Sequence, residues 1–280
     1  MKNSLLETEN VNASITDLEE MKTFYPTDEE FSDPLLYIDH LMENRAIHNY
    51  GCIKIVPPAS FKPPLAFDCA SSQKLPTRFQ ILQELSQGKA FKENGEGRTF
   101  AEFMKLSSQL ESDLPISKAD FERLEKRYWD MVENNVGPHT RVEYAADIPT
   151  GEFGSAFGRP GQKILSPEQA TYSEHPWNLN NLCKATNSLM QFPRRHDISG
   201  INIPWLYIGM RYSTFCWHYE DLMLYSINYG HWGAPKQWYA VPEYDREKFE
   251  KAVKQKVSLL FKKDPNILLD IVTMISPAYL

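Results

Sequence analysis

The stretch from Ile201 to Val241 constrains the fold most. Short β-rich segments follow one another there, namely Pro204–Gly209, Thr214–Glu220, Leu224–Tyr229 and Gln237–Val241, and Gly-containing turns separate several of them. This spacing predicts an antiparallel barrel or sandwich. Two helical stretches follow, Asp245–Phe261 and Pro265–Ile275, so the fold class is expected to be α+β. Upstream, order begins at Phe24-Tyr25-Pro26-Thr27, where Thr27 can cap a short helix with Glu30 as its N3 partner. Phe31, Leu35 and Ile38 repeat at helical spacing, with Pro34 positioned to split or kink that helix. Gly51–Val56 reads as a short strand stopped by Pro57-Pro58. Ser117 and Asp120 resemble a capping box, opening a helix whose face is Phe121, Leu124, Tyr128 and Met131, with Gly137-Pro138 as its end. Residues 150–170, with Gly151, Gly154, Gly158 and Gly161, read as a loop, and residues 1–20 as a mobile acidic tail.

Charge narrows the function classes. The 280 residues hold 30 Lys and Arg against 37 Asp and Glu, a net of −7. This argues against binding nucleic acid mainly through basic charge and leaves room for a cationic peptide. The longest apolar stretches, such as Ile201–Met210, are too short to span a bilayer. The N-terminal MKNSLLETENVNAS has no apolar core and is not Arg-rich, so no secretory or transit leader is expected. Cys52, Cys69, Cys183 and Cys216 form no CxxC pair, which speaks against a disulfide framework or a cysteine zinc finger. The chain reads as soluble and intracellular.

The sharpest chemical feature is Cys216-Trp217-His218-Tyr219-Glu220-Asp221. On a strand, His218 and Glu220 share one side. An imidazole and a carboxylate there offer two ligands of a 2-His-1-carboxylate triad, the set that suits non-haem Fe(II). Alone, such a pair on a strand is more often structural. Ser226 and Asn228 share a face of the next predicted strand, and Lys236 and Trp238 a face of the one after. A Lys aimed into a barrel calls for an anion, which a dicarboxylic cosubstrate would provide. Taken alone, Lys236 also reads as a surface residue beside the turn Gly233-Ala234-Pro235. His40, His48, His139, His175 and His196 are scattered and read as surface or turn residues, and Cys216 as a small buried hydrophobe.

PWLYIGMRYSTFCWHYEDLMLYSINYGHWGAPKQWYAVP, Pro204 to Pro242, closely resembles the JmjC domain of the jumonji histone lysine demethylases. Phe24 to Pro64 resembles their JmjN domain, with VEYAADIPTGEFGSAF, Val142 to Phe157, lying between. The resemblance implies a cupin-like double-stranded β-helix with surrounding helices. It divides the chain into a tail at 1–20, JmjN at 21–64, a mixed helical linker at 65–140, a loop contributing to the cosubstrate pocket at 141–171, and JmjC from 172 to 280. It also implies Fe(II), 2-oxoglutarate and O2 as cofactor and cosubstrates. By this resemblance His218 and Glu220 match iron ligands. Lys236 and Tyr144 match residues that hold the distal carboxylate of 2-oxoglutarate. Phe215 and Trp238 line the cosubstrate, Ser226 and Asn228 are polar positions around it, and Tyr207 helps to hold the methylated ammonium.

The family's third iron ligand is a His on a later strand. It is expected past Leu280, leaving JmjC incomplete at its C-terminus, and His231 matches a position the family does not use for metal. Thr171 to Leu182, ISGINIPWLYIGM and STFCWH look most like the group acting on methylated lysine-4 of histone H3. Glu220 to Tyr225 reads somewhat like the lysine-9/lysine-36 group, and the ARID and PHD modules usual in the lysine-4 group are not visible. The implied reaction is an oxidoreductase chemistry: hydroxylation of an N-methyl group, with formaldehyde and succinate released. Implied partners are the histone H3 tail and chromatin complexes in the nucleus, with no membrane and no direct DNA-binding module. A non-catalytic chromatin scaffold is the rival reading.

Overall fold

The computed structural model describes residues 18–89, 93–110, 117–159, 166–192, 198–263 and 273–280. The tail expectation falls on residues 1–17, outside the described residues, and so do His196, Gly161 and most of the helix expected at Pro265–Ile275.

The N-terminal module is closed by a parallel pair, β1 (Thr23–Phe24) with β2 (Lys54–Ile55). Between them Thr27 and Glu30 bond reciprocally. The Thr27 N–H donates to Glu30 Oε2 at 2.8 Å, and the Glu30 N–H donates to Thr27 Oγ1 at 3.2 Å. Two backbone donors that a helix start would leave bare are thereby satisfied. Pro34 does not kink the following helix but begins it. It is the first residue of α1 (Pro34–Glu43), where a missing N–H costs nothing, and Asp33 caps the Leu35 and Leu36 N–H groups. α2 (Ala46–Tyr50) follows and ends at Gly51.

The main sheet is antiparallel, in the order β4 (Glu93–Asn94), β3 (Arg78–Ile81), β5 (Arg141–Pro149), β6 (Trp205–Gly209). Residues 65–140 thus contribute two strands as well as α3 (Phe100–Leu110) and α4 (Lys118–Asn134). The capping box of Ser117 and Asp120 is present, but α4 ends earlier than Gly137, at Asn135, which takes a left-handed turn at φ 53°. Asparagine tolerates that region because its short polar side chain can bond locally. Leu82, Leu85, Phe103, Trp129, Val132, Val142, Met210 and Cys216 form the central core against this sheet. Cys216 is 2% exposed, the buried hydrophobe expected of it.

β5 is buried along most of its length and carries one irregularity. Its pairing with β6 shifts by a residue between Ala145 and Ile148, and Asp147 within that bulge adopts φ 57°. The expected loop at 150–170 contains α5 (Thr150–Phe153) and the start of α6 (Pro167–Ser173). α7 (Leu179–Leu182), α8 (Arg246–Lys256) and α9 (Ser258–Lys263) complete the helices used below.

The α+β class holds, and of the strands expected after Ile201 one is formed, β6. Thr214–Glu220, Leu224–Tyr229 and Gln237–Val241 are corrected: among the described residues they belong to no strand ladder. A strand exists only with a hydrogen-bonded neighbour, so alternation alone does not make one. Leu222, Met223, Tyr225 and Trp232 stand exposed along this run.

Candidate active site

The site assembles where β5 and β6 meet the run after Met210. Tyr144 lies in the buried part of β5 and Tyr207 on the adjacent β6, their ring centroids 6.2 Å apart. Burial raises the pKa of both phenols, and the nearby Asp147 carboxylate raises them further. Both therefore remain protonated at neutral pH. The Asp147 bulge is a site feature the sequence reading missed. The strand VEYAADIP carries two acidic residues, and only Asp147 lies in the bulge, which re-aims its side chain, whereas Glu143 is buried against Arg98.

Lys236 reaches back over these rings, its Nζ 5.1 Å from the Tyr207 centroid and 5.9 Å from that of Phe215. Solvent still reaches the residue, so its desolvation is partial, yet the surrounding protein holds its pKa below the usual lysine range. No carboxylate among the described residues forms an ion pair with it. Phe215 packs on Trp238 at 4.5 Å and meets the His218 ring edge-on at 6.5 Å.

His218 Nδ1 lies 2.7 Å from the Cys216 carbonyl oxygen. A carbonyl can only accept, so Nδ1 carries the proton, and in the neutral ring Nε2 keeps its lone pair. Nε2 lies 4.0 Å from Glu220 Oε1. The tautomer and the donor types, an imidazole nitrogen and a carboxylate, fit two of the donors that Fe(II) would need. Among the described residues no group of three His, Cys, Asp or Glu side chains is gathered for a metal.

The structure therefore brings together Tyr144, Tyr207, Phe215, His218, Glu220, Lys236 and Trp238. Ser226 and Asn228 are exposed on the ladderless run and make no hydrogen bond to this group. His231 lies apart, between Phe157 at 5.7 Å and Tyr229 at 5.4 Å.

The N-terminal module supports the site from behind. A Cβ on Gly51, whose φ is 70°, would stand 2.7 Å from the Val241 carbonyl oxygen, so the two backbones touch there. Cys52 beside it lies close enough to Glu220 for that carboxylate to raise the thiol's pKa, although burial raises it more. Phe61 packs against Tyr172, His175 and Tyr229, tying the module to both flanking segments.

His175 opens a turn, its carbonyl accepting from the Asn178 N–H at 2.9 Å, and its ring is packed as well. It is half-buried, stacks on Tyr172, and its Nδ1 accepts a hydrogen bond from the Trp177 N–H at 3.1 Å. Burial lowers the pKa of both His175 and His231, and His231 Nδ1 is buried without a partner among the described residues. The unfolded chain titrates these imidazoles near the ordinary value of about 6.5. Below that pH the unfolded state takes up protons that the folded state refuses, so stability falls as pH falls towards the folded values. The urea midpoint is expected to drop between pH 7.5 and pH 5.5, and to drop less in His231→Phe. Equal pH dependence in the two proteins would remove His231 from this account.

Two phenols, a lysine over aromatic walls and an imidazole–carboxylate pair thus stand together beside an antiparallel sheet, and the sequence match gives the class, a JmjC domain. Residues 205–280 match the JmjC domain, described as a hydroxylase, and residues 22–57 match the jmjN domain. The chain is 35% identical to Lysine-specific demethylase JMJ703 of Oryza sativa subsp. japonica over 94% of its own length and 25% of that relative. It is 40% identical to Lysine-specific demethylase 5B of Gallus gallus over 64% of its length and 12% of the relative. With Lysine-specific demethylase 5D of Pan troglodytes it shares 35% identity over 88% of its length and 15% of the relative. The chain thus spans a quarter or less of these relatives. JmjN and JmjC domains are present in it, and it is similar to lysine-specific demethylases.

Proposed function

We propose that this chain forms the JmjN/JmjC part of an Fe(II)- and 2-oxoglutarate-dependent dioxygenase that demethylates lysine on the histone H3 tail, with lysine-4 the favoured position. The observation that carries the reading is Lys236. It is a cation over the Tyr207 and Phe215 rings with no acidic partner among the described residues, next to a His–Glu pair. Such a lysine suits the distal carboxylate of a dicarboxylic acid.

Fe(II) with 2-oxoglutarate and O2 would supply hydroxylation of the N-methyl group, which then leaves as formaldehyde. His218 Nε2 and the Glu220 carboxylate would hold the metal, and the Cys216 carbonyl keeps the imidazole in the right tautomer. The Tyr144 phenol, kept protonated by burial, would donate to the same carboxylate that Lys236 would neutralise. Phe215 and Trp238 would wall the methylene stem, while Ser226 and Asn228 are polar positions the resemblance assigns to the cosubstrate, exposed and not gathered with the other residues. Tyr207 presents a neutral ring to the methylated ammonium. A net charge of −7 favours approach of a basic tail. The choice of lysine-4 rests on the sequence resemblance of Thr171–Leu182 and of the segments flanking β6. A nuclear, chromatin-associated role follows from the same reading.

A non-catalytic chromatin scaffold is the second reading, favoured by the two-donor metal set among the described residues. Formaldehyde release from trimethylated H3 peptides separates the two. With added Fe(II) and 2-oxoglutarate, the lysine-4 peptide is expected to react faster than the lysine-9 and lysine-36 peptides, and His218→Ala to abolish release. No release from any peptide, with chromatin association unchanged in His218→Ala, would favour the scaffold.

A further inference from the structure

The segment carrying His218 and Glu220 lies outside every strand ladder among the described residues, so ladder hydrogen bonds do not hold the pair in place. Anchors at the alternate positions Trp217 and Tyr219 do. The Trp217 N–H donates to the Thr273 carbonyl at 3.3 Å, and its Nε1 to the Ile275 carbonyl at 2.9 Å. The Trp217 ring also packs on Phe249 of α8 at 5.1 Å. The Tyr219 hydroxyl donates to Glu250 Oε1 of α8 at 2.8 Å. Glu250 is itself fixed by Lys254 Nζ at 3.2 Å and Arg246 Nε at 3.7 Å, and Tyr219 packs with Val253 and Ile275.

Beyond Tyr219 the chain from Glu220 to Asn228 is exposed, and Leu222 and Met223 both take positive φ, 54° and 55°. Tyr219 is therefore the last anchored residue before the Glu220 carboxylate. We infer that Tyr219, through its hydrogen bond to Glu250, is a positioning residue that sets the spacing of the His218–Glu220 metal pair. The inference rests on reading that pair as metal-binding. Its physical basis is general: groups that orient metal ligands from behind change affinity about 10- to 100-fold when removed.

The test is a Co(II) titration of the full chain, followed by visible absorption. Tyr219→Phe keeps the ring and its packing and loses only the O–H, and it is expected to weaken Co(II) binding about tenfold. Glu250→Ala should match it, and the double variant should be no worse than either, because one bond is lost in all three. Glu250→Gln retains a carbonyl acceptor and should recover most of the affinity, with urea midpoints close to wild type throughout. His218→Ala serves as the control. If it leaves Co(II) binding unchanged, or if the wild-type chain binds none, the metal reading fails and the positioning role with it. If His218→Ala weakens binding while Tyr219→Phe equals wild type, the positioning role alone fails. A loss of affinity in Glu250→Gln as large as in Glu250→Ala would also overturn it.

Discussion

Trp177→Ala is expected to destabilise the chain by about 3–5 kcal/mol and to loosen the JmjN domain from the rest. Trp177 is 6% exposed and stacks on Phe31 of the N-terminal module with ring centroids 4.3 Å apart and planes 5° from parallel. Its Nε1 donates to the Phe31 carbonyl at 2.6 Å. The same cluster gathers Tyr37, Leu41, Ile53, Ile55 and Phe61. Truncation removes the indole volume, the stack and the N–H donor to the Phe31 carbonyl, so the losses compound. Trp177→Phe separates them. It keeps a stacking ring and loses the N–H, for an expected cost of about 1–3 kcal/mol. Urea unfolding gives the free energies, and limited proteolysis within residues 18–64 reports the loosening. An Ala variant within about 1 kcal/mol of wild type, with the module still protected, would show that the two parts are held by other contacts.

Lys236→Met is expected to weaken 2-oxoglutarate binding about 100-fold, roughly 2.7 kcal/mol, without lowering the stability of the ligand-free chain. The two halves have one cause. Desolvation lowers the lysine's pKa, so at neutral pH the folded chain carries the ammonium at a cost. That cost is fully present below the folded pKa and disappears as pH rises towards the unfolded value of about 10.4. Solvent access keeps it small, so methionine should raise the urea midpoint only slightly. A bound dicarboxylate converts the cost into attraction, and the variant loses that attraction entirely. Calorimetric titration with 2-oxoglutarate in the presence of Co(II) measures the first half. Unchanged affinity would take Lys236 out of the proposed pocket, and a large drop in ligand-free stability would make it a packing residue.

Much of the local structure was legible before any coordinates. Thr27 with Glu30 and Ser117 with Asp120 cap as their spacing requires, because a cap joins atoms three residues apart and needs nothing from the rest of the chain. Pro34 was recognised as a disruption, yet it starts α1, because Asp33 supplies the cap that makes a first-turn proline welcome. His175 opens the turn its surroundings suggest, yet it also packs on Phe61 of the N-terminal module, a partner that no local pattern around it could reveal.

By itself, then, the sequence determined the α+β class, the JmjN and JmjC likeness, and the residue types expected in the site: an imidazole two positions from a carboxylate, an aromatic before them and a lysine after. The class and the imidazole–carboxylate pair rest on short spacing, and the likeness and the other site residues on the resemblance of two segments, Phe24 to Pro64 and Pro204 to Pro242. Only the tertiary structure decided which alternating segments lack ladders and how the Asp147 bulge meets the two phenols. It also decided that Tyr219 ties the His218–Glu220 segment to a helix 31 positions away. Strand pairing, desolvation and long-range hydrogen bonds depend on what the folded chain places alongside each residue, and that partner is chosen by the packing of the whole.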